Sequence, residues 1–180
     1  MYWTGKGDDG TTKLYNSPSG CRISKGSKVI DALGSLDEVN SYLGLCKALA
    51  KKEKLDLESF IHSLQDHLFT VQAELAGAER SVNKEALEKM EVTLKELSEK
   101  IPEIKSFSVA GGTELSAHFD VARTMARRAE RKIIELKESG ERTLGPVSLA
   151  FINRLSSACF ILARYVNVQK GVAEIPPEYD

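Results

Sequence analysis

After Lys28 the chain repeats apolar residues at steps of three and four with few interruptions. That period lays one apolar stripe along an α-helix and is incompatible with the strict alternation of a half-buried strand. Five stretches carry it. Residues 29–51 have Ile30, Leu33, Leu36, Leu43 and Leu49 as their stripe, and residues 57–78 have Phe60, Leu64, Leu68, Val71 and Leu75. Residues 83–100 repeat Leu87, Met90, Leu94 and Leu97, with Glu and Lys at i,i+4 spacing on the remaining face, and Pro102 ends that stretch. Residues 114–137 carry Leu115, Phe119, Ala122, Ala126, Ala129, Ile133 and Leu136, whose small alanines predict close helix–helix approach. Thr113 is placed to cap that helix, and Gly140 to stop it. Gly145-Pro146 opens the last helix, which runs to residue 169. The expectation is an all-α, five-helix bundle in one domain.

The bundle is preceded by a glycine-rich head, residues 1–27, and followed by a tail, residues 171–180, that contains Pro176-Pro177. A connection holding Ile104, Phe107, Val109 and Gly111-Gly112 joins the third and fourth helices. At 180 residues the chain can bury one sizeable core. Its 25 Lys+Arg balance 26 Asp+Glu, so a general attraction to nucleic acid or an anionic membrane is not expected. No uninterrupted apolar run reaches the roughly 18 residues of a membrane span, and the start lacks a basic segment followed by an apolar one. The three cysteines, Cys21, Cys46 and Cys159, are widely spaced, and Cys46 and Cys159 read as buried thiols. A cytoplasmic protein is expected.

The densest chemistry is on the fourth helix. Arg123, Arg127 and Glu130 share one face beside the alanine stripe, and Arg128, Arg131 and Lys132 point to the side. Glu130 is the only acid among five bases there, and guanidinium forks suit phosphate oxygens. From pattern alone, an anionic ligand and a structural ion-pair role stand level. On the first helix Asp37 and Asn40 share a face. On the fifth, Asn153 falls within the stripe of Leu149, Ile152, Ser156 and Cys159, as a core amide or a ligand contact. The head sequence TGKGDDGTT, residues 4–12, offers glycines, hydroxyls and Lys6, either as a phosphate cradle or as a plain loop, with Arg22 and Lys25 following. It is not a Walker A loop. His62, His67 and His118 form no Glu-x-x-His pair, and no HExxH, GxSxG or Cys–His set occurs.

Together these segments resemble the ATP:cob(I)alamin, or ATP:corrinoid, adenosyltransferases of the trimeric five-helix class. The resemblance rests on TGKGDDGTT at residues 4–12, GSLDEVN at 34–40, Phe107-x-x-x-Gly-Gly-Thr113, VARTMARRAER at 121–131 and FINRL at 151–155, in order along nearly the whole chain. It implies that Co(I) of a reduced corrinoid attacks the 5′ carbon of ATP, releasing triphosphate. It implies that Thr4, Gly5, Lys6, Gly7, Thr12 and Lys25 surround the nucleotide and its phosphates. Arg127, with Glu130 and Arg131, would contact ATP and its Mg²⁺, with Glu130 as candidate donor to the metal. Asn153 would contact the nucleotide across a subunit interface, and Arg123 and Asp37 would pair between subunits. Phe107 would cover the lower face of the corrin and leave cobalt four-coordinate. The implied assembly is a homotrimer with sites at subunit interfaces, served by a corrinoid reductase and feeding an adenosylcobalamin-dependent enzyme. Two departures stand out: Val109-Ala110 where the family often has Leu-Pro, and Ser157 where it often has Asp.

Two other classes compete. A carrier would bind nucleotide or corrinoid without catalysis, yet Phe107 and Arg127 stand where the reaction would need them. A helical interaction module for RNA or an acidic partner predicts a basic excess or interleaved aromatics, and neither is seen.

Overall fold

The computed structural model describes residues 2–15, 17–103 and 106–179; Ile104 lies outside them. Five helices are described: α1 (Lys28–Lys52), α2 (Glu58–Leu75), α3 (Lys84–Ser98), α4 (Glu114–Glu138) and α5 (Pro146–Gln169). α4 lies between α1 and α5, α2 packs on α1, and α3 packs on α5. Two short strands in the head, β1 (Thr11–Thr12) and β2 (Ile23–Ser24), pair antiparallel, with Thr11 opposite Ser24 and Thr12 opposite Ile23.

The central seam obeys the period closely. On α4 the buried residues Leu115, Phe119, Ala122, Ala126, Ala129, Ile133 and Leu136 are those read from the sequence. On α1 the buried face is Val29, Ala32, Leu36, Val39, Leu43, Cys46 and Ala50. That face is rotated from the expected stripe, and Ile30, Leu33 and Leu49 flank it only partly buried. The reason is steric. Small Ala32, Cys46 and Ala50 are wholly enclosed between packed helices together with Leu36, Val39 and Leu43, while Ile30, Leu33 and Leu49 cover the edges of the contact. On α2, Ile61 is buried and Phe60 packs beside it.

Helix ends follow local chemistry. Thr113 caps α4: its hydroxyl accepts from the Ser116 amide at 3.1 Å, and the Ser116 hydroxyl accepts from the Thr113 amide at 2.9 Å. α2 stops at Leu75, three residues short of expectation, because Gly77 takes a left-handed φ of 96°. Glu74 of α2 accepts the Gly145 amide at 2.6 Å and the Ser148 hydroxyl, which holds the start of α5 against α2. By length and mean hydropathy alone α5 is apolar enough to cross a membrane, although polar residues interrupt its apolar run. Here it is a core helix, burying Phe151, Ile152, Leu155, Leu162 and Val166 and also Arg164 and Asn167.

Cys46 and Cys159 are buried and Cys21 is exposed. Burial raises both inner thiols, pushing Cys46 up to about 12. The unfolded chain ionises them first, so their contribution to stability is complete below about pH 9 and lost as the pH rises further. At pH 8 a charged thiol reagent is expected to label Cys21 alone in the folded chain and the other two only on unfolding. Rapid modification of a second thiol without denaturant would contradict this core.

Candidate functional site

The head is a built loop. Gly5 and Gly10 take left-handed φ values of 67° and 78°, and the turns close through Asp8 N to Gly5 O and Gly10 N to Gly7 O, both 3.1 Å. Lys25 crosses it: its amide donates to Gly10 O and its ammonium to Gly7 O, each at 2.8 Å. A Cβ on Gly7 would stand 3.0 Å from Lys25 Nζ and 3.1 Å from Thr11 O, so a side chain there would push Lys25 or the Thr11 backbone aside by a few tenths of an ångström. Arg22 braces the strand pair by donating to Thr11 Oγ1 and O at 2.5 and 2.7 Å. Asp9 accepts from the Thr11 hydroxyl and amide at 2.7 and 2.9 Å, which holds its carboxyl below the usual range. The Lys6 amide donates to Thr4 Oγ1 at 3.4 Å, while among the described residues its ammonium has no ion-pair partner. Thr12 sits on β1, half-buried.

The basic run on α4 divides in two. Arg128 pairs with Glu38, Lys132 with Asp31, and Lys28 with Glu135 at 3.3 Å, so these charges fasten α4 to α1. Arg127 and Arg131 are exposed, and among the described residues neither has an ion-pair partner. Glu130 accepts from Asn153 Nδ2 at 2.9 Å, and Asn153 accepts from Arg154, which pairs with Glu91. Asn153 is therefore exposed, not set in the apolar stripe as expected. One residue beyond Ile152 turns it about 100° round the helix and out of the seam. Arg123, Arg127, Ser157 and Phe160 border a shallow depression of about 250 Å³. Asp37 is exposed on α1, and Arg123 Nε instead lies 3.6 Å from Asp120 of its own helix.

Thus Arg127, Glu130 and Asn153 share one patch. No described hydrogen bond or ion pair joins them to the head, which sits where α1 begins and α4 ends.

Phe107 stands 82% exposed on the connection before α4. It borders two cavities, of about 690 and 380 Å³, that meet at Arg164. Beneath them runs a buried charge network that sequence reading missed. Asp120 accepts from Arg164 Nη2 at 2.8 Å and from the Gly111 amide at 3.0 Å. Arg164 also reaches Ser108 Oγ at 3.3 Å and Glu174 at 2.7 Å, and its guanidinium packs 5.1 Å from the Phe160 ring. Asn167 donates to Gly111 O at 2.9 Å and to Glu174 at 3.0 Å, and accepts from the Thr113 amide at 3.2 Å. A Cβ on Gly112, whose φ is 111°, would fall 2.5 Å from Asn167 Oδ1. The signal was present: a charge and an amide within the apolar run of α5 require partners. Among the described residues no three His, Cys, Asp or Glu cluster to hold a metal ion. Exposed cations on one patch and a glycine-rich loop can bind polyphosphate, and the aromatic-edged cavities can take a large apolar face.

The chain matches the family described as cobalamin adenosyltransferase over residues 2–166. It is 31% identical over 184 residues to a corrinoid adenosyltransferase of Bacillus subtilis, covering 99% of this chain and 91% of that protein. It is 35% identical over 169 residues to the corrinoid adenosyltransferase PduO of Citrobacter freundii, covering 90% of this chain and 48% of that protein. The chain spans about half the length of the PduO proteins of C. freundii and Salmonella typhimurium that it matches. Among solved structures it is similar to a phenylalanine-to-alanine variant of a PduO-type ATP:corrinoid adenosyltransferase from Lactobacillus reuteri complexed with cobalamin and ATP. The TM-score is 0.91 at 28% identity, covering 99% of this chain and 100% of that one. An arginine-to-lysine variant from the same organism, complexed with ATP, gives 0.88 at 29% identity, covering 98% and 99%.

Asp120 is the hinge of the buried network. Asp120→Asn is expected to cost about 3 kcal/mol of stability, since it leaves the buried Arg164 short of its main counter-charge. A denaturant midpoint corresponding to less than about 1 kcal/mol would show that Arg164 does not depend on it.

Proposed function

The chain belongs to the cobalamin adenosyltransferase family, and from that premise we propose that it transfers the 5′-deoxyadenosyl group of ATP to the Co(I) of a reduced corrinoid. One observation carries the reading. Arg127 stands exposed without an ion-pair partner among the described residues, beside Arg128 and Lys132, which α1 already neutralises. A cation left open on a rigid helix suits a polyphosphate.

In the proposed step Co(I) of the substrate is the nucleophile. The Co–C5′ bond forms as the C5′–O bond breaks, and the electron pair leaves with triphosphate. The chain's task is to align the reactants and stabilise the leaving group. Gly5 and Gly7, with Thr4 and Thr12, shape the loop around the phosphates. Lys25, already held by one bond to Gly7 O, keeps further N–H donors for phosphate oxygens. Lys6, Arg127 and Arg131 add positive charge, and Asn153 contacts the nucleotide. Mg²⁺ would arrive with the triphosphate. Glu130, which holds Asn153 beside Arg127 and Arg131, is the candidate protein donor to an ion that keeps most of its ligands from phosphate and water. Phe107 covers the lower corrin face, and removing the axial donor makes Co(II) easier to reduce.

No described hydrogen bond or ion pair joins the head to Arg127, and in this reading the complete site takes its two halves from two copies. We read the assembly as a homotrimer in which the exposed Asp37 meets Arg123 of a neighbouring subunit. A reductase supplies Co(I), and an adenosylcobalamin-dependent enzyme takes the product. The free cysteines support a cytoplasmic setting.

The test is direct: ATP, Mg²⁺ and chemically reduced cobalamin are expected to give a Co–C product and one free triphosphate per turnover. Binding of both ligands without product would leave a carrier instead. Arg127→Ala or Lys25→Ala is expected to cut turnover by roughly a hundredfold, as loss of a transition-state donor does; near-normal rates would remove the triphosphate assignment. Phe107→Ala is expected to bind corrinoid but to lose the four-coordinate Co(II) spectrum with ATP present. An unchanged spectrum would free Phe107 of that role.

A further inference from the structure

We infer that Glu174 is a positioning residue for the corrinoid: clamped by Arg164 and Asn167, it holds the C-terminal tail against the Phe107 connection so that the tail walls the cavity. The inference rests on the proposed reading of that cavity as the corrinoid site. It begins with the path of the chain after α5. Gly171 takes a left-handed φ of 66°, and the Val172 amide returns to Asn167 O at 2.9 Å, so the backbone turns back over the bundle. Glu174 then meets Arg164 Nε at 2.7 Å and Asn167 Nδ2 at 3.0 Å. The next residue bridges directly to the connection, Ile175 O accepting from the Val109 amide at 2.8 Å. Val109 is two residues from Phe107, and the intervening Ser108 takes Arg164 Nη1.

Pro176 and Pro177 have no N–H to donate and hold the backbone stiff. They act as an arm whose placement is set at Glu174 and Ile175. The tail lines both cavities: Val172, Ala173, Glu174 and Pro176 border the smaller, and Pro176, Pro177 and Tyr179 the larger. Shifting the anchor therefore moves a wall of the cavities that Phe107 borders, and no described contact carries that shift to the head or Arg127. The clamp is also releasable. Arg164 is 3% exposed and keeps Asp120 as a second partner, whereas the Glu174 side chain is 32% exposed and reaches water. Its loss strands no buried acid and leaves the bundle intact.

The experiment compares Glu174→Gln and Glu174→Ala with the full-length parent chain. Gln retains a neutral acceptor and Ala none. Affinity for cob(II)alamin is expected to fall about threefold in the first and about tenfold in the second, the size of a lost hydrogen bond to a charged group. Affinity for ATP should stay within twofold, and the Val109 amide should exchange faster in the same order, with or without ligand. Equal losses for ATP and corrinoid, or an unaltered corrinoid affinity in Glu174→Ala, would overturn the inference. A parent chain that binds cob(II)alamin but forms no Co–C product would overturn the proposed activity alone. Slow Val109 exchange in Glu174→Ala would overturn the clamp whatever the activity.

Discussion

A guanidinium buried to 3% exposure commits everything around it. Arg164 cannot shed its proton and cannot stay unpaired in an apolar helix, so its five N–H groups must find acceptors. It donates to Asp120 on α4 and Ser108 on the connection, pairs ionically with Glu174 on the tail and packs on the ring of Phe160. One buried cation thus fixes segments that are remote in sequence and carry no regular structure of their own. Asp120 extends the network in both directions, to Arg123 and to the Gly111 amide. The end of the bundle that bears Phe107 is organised by charge, and the middle by shape.

The middle is a seam of small side chains. Ala122, Ala126 and Ala129 lie buried on α4, which packs against α1, and across that contact Glu38 and Asp31 reach Arg128 and Lys132. Those pairs are exposed and individually weak. Their consequence is selective rather than energetic. They neutralise the bases on one side of α4 and leave Arg127 and Arg131 as the open cations. The near-zero net charge of the chain conceals this local imbalance, because the acids lie along outer faces such as that of α3.

The helices were legible in the sequence because a three-four period is a property of neighbouring residues. The α4 stripe, the Thr113 cap and the buried Cys46 and Cys159 all follow from local pattern. What escaped depends on distance through space. The face of α1 was misread because large residues advertise burial more loudly than Ala32 or Ala50, although a close seam needs the small ones. Asn153 was placed in a stripe one residue away from where the helix turns it. The network of Asp120, Arg164, Asn167 and Glu174 joins residues as far apart as Ser108 and Glu174, and no local window contains it. Only the mismatch of a charge in an apolar run pointed there.

No described hydrogen bond or ion pair ties the head to the patch of Arg127. The head is internally satisfied: Lys25 reaches Gly7, Arg22 reaches Thr11, and Asp9 takes the Thr11 amide. It therefore keeps its shape without resting on the patch of Arg127, Glu130 and Asn153. A polyphosphate held by the loop alone would meet few cations, and one held by the patch alone would lack backbone donors. On the proposed reading, each chain offers two preformed halves, and a neighbouring copy brings the complementary half to each. Preorganised donors of this kind act on developing charge without reorganising, which is what displacement of a triphosphate by a metal nucleophile asks of its protein.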